Sequence, residues 1–196
     1  MRVFQIEGGW GLDNLRLSQR SQPEAGPGQV LVSMRASSLN FRDLVVPERG
    51  YGNYTGELPL IPISDGVGVV SAVGPGVTRV KVGDRVCPTY FQAWQGGEPD
   101  LQRLTQSLGG PIDGTMTETM CLLEQGVVVV PEYLSDLQAA TLPCAALTAW
   151  SAVVTYGHVK AGDCVLVQGC GGVALFALQF AKSLGAHVTV ISSTAD

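Results

Sequence analysis

Asp163-Cys-Val-Leu-Val-Gln-Gly169-Cys-Gly171-Gly172-Val173-Ala174, continued by Leu175 to Leu184 and then by His187 to Ile191, reads as strand, glycine turn, helix, strand. Val165 to Val167 is a short apolar run, and Phe176, Leu178, Gln179, Phe180 and Ala181 make a helix with a buried side. Gly169, Gly171 and Ala174 fit the pattern G-x-G-x-x-G/A. In that pattern the first glycine permits a tight turn, the second lets the backbone approach a pyrophosphate, and the small third residue lets helix pack on strand. The helix opening at Gly172 and Val173 would offer free N–H groups and the positive end of its dipole to phosphates. Taken alone the pattern also suits an ordinary strand-to-helix turn, because any tight turn of this kind selects glycine.

Working outward, the 160 residues before this unit have a different character. Val30 to Met34, Gly66 to Val73, Arg85 to Tyr90 and Gly126 to Val130 are short β-branched runs bounded by Gly, Pro, Asp or Asn, which suggests a mostly β, barrel-like domain over residues 1–130. From Ser135 the pattern changes. Ser135-Asp136-Leu-Gln138 can cap a helix continued by Ala139, Ala140 and Leu142; Pro143 marks a break, and Ala145 to Thr155 reads as a second helix. Residues 131–160 are thus connecting helices, Lys160 to Asp163 is a turn, and residues 161–196 form a first βαβ unit. The segment from Phe91 to Gly110 is long, polar and Gly-rich, either a lid or an exposed linker.

The chain has 196 residues, 45% of them hydrophobic, and a net charge of −5, enough for a sizeable core. It has no Lys/Arg cluster, which argues against nucleic-acid and anionic-membrane surfaces. No apolar run approaches the roughly 18 residues that span a bilayer, and the first residues lack a leader's apolar stretch. A cytoplasmic protein is expected. The five cysteines, at 87, 121, 144, 164 and 170, include no C-x-x-C and do not form a disulfide framework; packing explains each.

Six ordered segments carry a family resemblance: Asn40-Phe-Arg-Asp43, Pro62-Ile-Ser64-Asp65-Gly66-Val-Gly68, Val73-Gly-Pro-Gly76, Val82-Gly-Asp84-Arg85-Val86, Leu142-Pro-Cys144-Ala-Ala-Leu-Thr148-Ala149 and the Gly169 unit. In order and spacing they resemble the medium-chain dehydrogenase/reductase superfamily, and within it the zinc-free, quinone-oxidoreductase-like branch. The resemblance implies a mainly β GroES-like domain that holds substrate, followed by the beginning of an α/β Rossmann domain, with a nicotinamide cofactor in the cleft between them. It implies an oxidoreductase acting on a small carbonyl compound, an enone, a quinone or an aldehyde. The alternative is a non-catalytic module derived from such a reductase, which binds a small molecule or a partner.

Zinc-dependent members carry a Cys, a His and a Cys where this chain has Asn40, Ser64 and Cys144. Catalytic zinc takes three protein ligands from Cys, His or carboxylate. Cys144 with Asp65 is an incomplete set, and the family's structural zinc lobe is missing, since no second cysteine lies between Cys87 and Gly114. No metal is expected, and Cys144 is read as a small helix-end residue. Hydride chemistry without zinc needs hydrogen-bond donors and a proton source near the oxygen that becomes negative. Asn40, Asp43 and Tyr51 have the spacing N-x2-D-x7-Y of zinc-free quinone and enoyl reductases. Tyr51 is the expected proton donor, against a loop tyrosine that only packs; Asn40 would orient substrate or nicotinamide; Asp43 would anchor its loop. Arg42 could pair with a substrate anion, but is read as a surface arginine.

For the cofactor, NAD-specific folds place an acidic residue at the end of the second strand, where this chain has Ser192 and Ser193. Losing that carboxylate favours NADP(H) over NAD(H). Thr148 matches a threonine that lies near the nicotinamide in the family, unless it only bonds its own helix. A doubly wound sheet has about six strands and two are found here. The chain therefore reads as a fragment of a longer reductase, with the usual family dimer interface largely absent and with activity belonging to the complete chain.

Overall fold

A computed structural model describes residues 1–98 and 100–193, and for Asn53, Tyr54 and Gln102 the backbone only. The chain divides into two compact units, Met1–Pro143 and Cys144–Asp196. Residues 194–196 of the expected βαβ unit lie outside the described residues.

The first unit is built on antiparallel pairing. Strand β1 (Arg2–Ile6) pairs with β2 (Leu15–Gln19) in a two-stranded ribbon. A five-stranded sheet follows, made of β3 (Gln29–Ser38), β4 (Asp65–Val73), β5 (Arg85–Pro88), β6 (Thr119–Leu123) and β7 (Val127–Val129) in the order β6-β3-β4-β5-β7. Alternation sets the inward face: Val30 and Val32 on β3 and Met120 and Leu122 on β6 point the same way as Val70, Val86 and Val127 and join them in one core. Burying each such valine contributes about 1.5–3 kcal/mol. Register shifts between Leu31 and Val32 and between Met34 and Ala36 bend β3 against β4.

Short helical turns decorate the sheet. Helix α1 (Arg42–Val45) follows the end of β3, and α2 (Leu101–Leu104) lies in the segment expected to be a lid or linker. That segment is only partly an excursion: Phe91 bridges to Ser107, and Leu108 is buried in the sheet core. Helix α3 (Asp136–Ala140) begins with a reciprocal capping box, in which Gln138 N–H donates to the Ser135 hydroxyl oxygen and the Gln138 side chain accepts from Ser135 N–H. Its Ala139 and Ala140 pack on Val67, Cys87 and Val130.

Helix resumes at Leu142, earlier than the expected Ala145. A π turn over Leu142–Ala146 leads into α4 (Leu147–Trp150) and a second π turn over Ser151–Tyr156. Pro143 occupies the opening turn, where a missing N–H costs nothing, so the break falls one residue before Leu142.

In the second unit β8 (Cys164–Gln168) runs parallel to β9 (His187–Ile191) and is joined to it by α5 (Gly172–Ser183). Val153, Ala181 and Ala186 form its small core, with Val165, Phe180 and Leu184 against them. Trp150 meets Phe180 edge to face at 5.4 Å.

Candidate functional site

In the first unit the chain leaves β3 through Leu39, Asn40 and Phe41. Asp43 closes this corner: its Oδ2 accepts the Asn40 N–H at 2.7 Å while its own N–H donates to the Asn40 carbonyl at 3.0 Å. The Asp43 carboxyl is buried, and burial pushes its pKa above the usual carboxylate range. The Asn40 N–H and the Arg42 charge act against that rise, and the Asp65 charge adds to it. Asn40 Nδ2 and Asp43 Oδ1 are both buried without a hydrogen bond.

Arg42 is not on the surface. It is 8% exposed, donates from Nη1 to the Leu108 carbonyl and from Nη2 to the Gly110 carbonyl, each at 3.0 Å, and lies 4.9 Å from the centroid of the Tyr90 ring. Its Nη1 is 3.8 Å from Asp43 Oδ1. The reason for this burial is the two carbonyls, which face the interior and need donors.

Tyr51, by contrast, is 46% exposed. It lines a cavity of about 290 Å³ together with Arg42, Tyr90, Phe91, Leu101 and Leu104. Asn40 and Asp43 line another cavity, of about 340 Å³, among Leu12, Leu39, Phe41 and Leu44. The spacing N-x2-D-x7-Y therefore brings Asn40 and Asp43 together and places Tyr51 in the neighbouring cavity, whose wall Arg42 shares through its ion pair with Asp43. Tyr90 and Phe91 had no role in the sequence reading. Their signal was three aromatic residues, Tyr90, Phe91 and Trp94, within five positions, where a run read as strand meets the stretch read as lid or linker.

Ser64 and Asp65 are fully buried, and the Ser64 hydroxyl donates to Asp65 Oδ1 at 3.0 Å. The Asp65 carbonyl accepts the Thr115 hydroxyl at 2.9 Å. Cys87 stands close by, but burial above all pushes its thiol up to about 12, so it is a thiol rather than a thiolate, and it donates to the Ala139 carbonyl at 3.3 Å. Asn40 offers an amide and Ser64 a hydroxyl already engaged. This donor set within the first unit does not fit a three-ligand zinc centre. Among the described residues no three His, Cys, Asp or Glu side chains gather as a metal site.

In the second unit the glycine turn is fully formed. Gly169 has φ +94°, a value that L side chains rarely adopt, and its N–H donates to the Ile191 carbonyl at 2.7 Å, extending the ladder one step past β8. Gly171 stands before the first turn of α5 without any side-chain cap, and the first helix bond is from Leu175 N–H to the Gly171 carbonyl. The N–H groups of Gly172, Val173 and Ala174 therefore have no partner within the helix. No atom lies within 4 Å of a Cβ built on Gly169 or Gly171, so the space in front of the turn is open. A Cβ on Gly172 would instead come within 3.3 Å of the Ala145 side chain, so glycine here lets α5 approach the helix that carries Ala145. Thr148, exposed, lies three residues further along that helix.

Because Gln168 is level with Ile191, the following Ser192 lies beside the turn, and its hydroxyl donates to Cys170 Sγ at 3.7 Å. Ser192 and Ser193 are exposed. Bare N–H groups, a helix start and open space fit a pyrophosphate. Cys144 is half-buried on the opening turn of its helix, His158 is exposed in the loop before β8, and His187 is exposed as the first residue of β9.

Comparison with known proteins gives the family. A zinc-type alcohol dehydrogenase-like protein of Schizosaccharomyces pombe is 41% identical over 189 residues, covering 94% of this chain and 54% of its own length. Among solved structures, a provisionally named alcohol dehydrogenase from Sinorhizobium meliloti superposes with a TM-score of 0.92 at 45% identity, over 99% of this chain and 57% of that one. A quinone oxidoreductase from Pseudomonas syringae gives 0.79 at 31% identity, over 99% and 53%. The chain thus spans about half the length of the curated relatives it matches. The family model of the alcohol dehydrogenase GroES-like domain matches residues 26–132, more than half of the chain. With its antiparallel sheet, its Asn40-to-Asp43 corner and that match, the chain belongs to the alcohol dehydrogenase GroES-like domain family.

Proposed function

We propose that this chain carries the substrate-binding and phosphate-binding parts of a zinc-independent, nicotinamide-dependent oxidoreductase that reduces a quinone, enone or aldehyde. The observation that carries the reading is the open glycine turn at the end of β8, set against the uncapped start of α5. The N–H groups of Gly172, Val173 and Ala174 would hold the pyrophosphate, and Thr148 would face the nicotinamide. Ser192 and Ser193 put no carboxylate where a 2′-phosphate would sit, which favours NADP(H) over NAD(H).

A bound nicotinamide supplies a hydride to a substrate carbon. The Tyr51 hydroxyl supplies the matching proton, so that an enone plus hydride plus proton gives the saturated ketone. Being half-exposed, Tyr51 regains its proton from solvent. The Arg42 guanidinium stabilises negative charge that develops on the substrate oxygen in the Tyr51 cavity. Asp43 keeps the Asn40 corner closed, which leaves the Asn40 amide to orient the bound molecule. Zinc independence rests on the side chains at the ligand positions, Asn40 and Ser64, although the Schizosaccharomyces pombe relative is named zinc-type. A soluble cytoplasmic setting and a small-molecule partner, with no nucleic acid and no membrane, complete the reading. Among the described residues no helix is long and apolar enough to cross a membrane.

Deuterium transfer tests it. NADPH carrying deuterium at the transferring carbon, incubated with the chain extended to full length, chelator and 3-methylcyclohex-2-enone, should place deuterium on product carbon, and Tyr51→Phe should slow this by about 10²- to 10⁴-fold. No label in the product, or label only after zinc is added, contradicts the proposal.

A further inference from the structure

Arg42 is a buried cation whose nearest carboxylate does not hydrogen-bond to it. Asp43 Oδ1 stands 3.8 Å from Arg42 Nη1, outside hydrogen-bonding distance, and Asp43 Oδ2 is committed to the Asn40 N–H at 2.7 Å. Two of the five guanidinium N–H groups go to the Leu108 and Gly110 carbonyls, and Nε is buried without a hydrogen bond. Burial also disfavours the ionised form of Asp43, so the guanidinium charge is only partly compensated from that side. A buried charge is ordinarily paired, and a guanidinium pairs best with a carboxylate or phosphate.

Arg42 also lines the Tyr51 cavity, where it is the one charged group among the described lining residues. No carboxylate among them competes for it, and the half-exposed Tyr51 brings a hydroxyl donor to the same cavity. The guanidinium is already held by its two carbonyls and by the Tyr90 ring, 4.9 Å away, so an arriving anion need not order it. Phe91, Leu101 and Leu104 add apolar wall. A fixed cation, a phenol donor and an apolar wall are the complement of a carboxylate carried on an apolar body, whose head takes charge-assisted hydrogen bonds while its body leaves water. The volume, about 290 Å³, is near the lower end of ligand pockets and limits the ligand to a small acid, ring or chain alike.

We propose that the Tyr51 cavity binds small organic carboxylates, with Arg42 as the residue that recognises the anion, and that these acids exclude neutral carbonyl compounds from it. The inference rests on the proposed function only in taking this cavity as the substrate site; it does not require hydride transfer. It assigns the cavity a ligand with a permanent charge, beyond the transient charge of a reacting carbonyl.

Calorimetric titration of the chain extended to full length, without nucleotide, compares benzoate with benzamide, which has nearly the same shape and no charge; hexanoate and hexanamide repeat the comparison on an open chain. Each acid should bind at least about tenfold more tightly than its amide. Arg42→Gln should remove the difference. Since that variant also takes a donor from two buried carbonyls, Leu101 supplies a second pair: it is 68% exposed on the cavity wall, so a charge there does not burden the core. Leu101→Asp should weaken benzoate by about threefold or more and Leu101→Lys should strengthen it by a similar factor, with benzamide within about twofold in both. Equal affinity for acid and amide, or benzoate binding indifferent to both Leu101 charges, overturns the inference. Deuterium transfer to 3-methylcyclohex-2-enone should fall competitively as benzoate is added; transfer unaffected by saturating benzoate overturns the exclusion of carbonyl compounds. Benzoate binding with the expected preferences but no deuterium transfer in its absence would overturn the oxidoreductase reading alone.

Discussion

Gly169 and Asp43 show how single residues set the two candidate sites. At φ +94° Gly169 holds a conformation open to glycine and costly for other residues, and the space around it is empty, so the cost of replacing it is conformational rather than steric. Gly169→Ala should destabilise the chain by about 1–3 kcal/mol in a urea titration, and should weaken NADPH binding as the turn shifts. Asp43 makes an opposite case. Its folded-state pKa is raised, so its contribution to stability is full below its unfolded value of 3.8 and is lost as pH rises through the folded value. Asp43→Asn keeps an acceptor for the Asn40 N–H and removes that loss. The stability of the variant relative to the parent should therefore increase from pH 4 to pH 7, as measured by denaturant unfolding at each pH; a difference that does not vary with pH would mean that the acid is not strained by burial. Arg42 was misread as exposed because its two acceptors, the carbonyls of Leu108 and Gly110, lie more than sixty residues away in sequence and no local pattern announces them. Arg42→Leu should cost about 3–5 kcal/mol, since it leaves those carbonyls and Asp43 without their partner.

At the scale of elements, local chemistry was legible wherever it decided the outcome by itself. The Ser135 cap could be read because Ser135 and Gln138 need only each other, and both halves of the capping box are formed. Ser135→Ala should lower stability by about 1 kcal/mol, read from the unfolding midpoint, and a change within error would mean that α3 is held by its packing on Val67 and Cys87 instead. The glycine turn was legible for the same reason, since strand, glycines and helix follow one another directly. Strands β1, β2 and β6 were not read, because each is five residues long and mixes polar residues with apolar ones, as in Arg-Val-Phe-Gln-Ile over Arg2–Ile6. Their pairing is decided by distant partners, such as β6 against β3. The two cavities were hidden likewise. Tyr51, Tyr90 and Leu101 share a wall only after residues 42–110 have folded back on themselves, so sequence spacing grouped Tyr51 with Asn40 and Asp43 instead.

For the molecule as a whole, the two units divide the chemistry of the proposed reaction. The first offers an aromatic cavity with a tyrosine hydroxyl and a fixed guanidinium, and the second offers a bare helix start beside two serines. At two of the positions where zinc-dependent members carry ligands the first unit has Asn40 and Ser64, and burial keeps the Cys87 thiol protonated. The family is established by the match over residues 26–132, and the shared length with its relatives accounts for the ease with which six ordered segments identified it. The central proposal is the coupling of a nicotinamide phosphate site to zinc-free carbonyl chemistry. Calorimetric titration of chelator-treated protein with NADPH and NADH, for the parent and for Ser192→Asp, measures that coupling most directly. The account predicts binding without zinc, NADPH tighter than NADH in the parent, and a preference reduced or reversed in the variant, whose carboxylate would repel a 2′-phosphate. Binding of neither nucleotide, binding restored only by added zinc, or a preference for NADPH untouched by Ser192→Asp would contradict it.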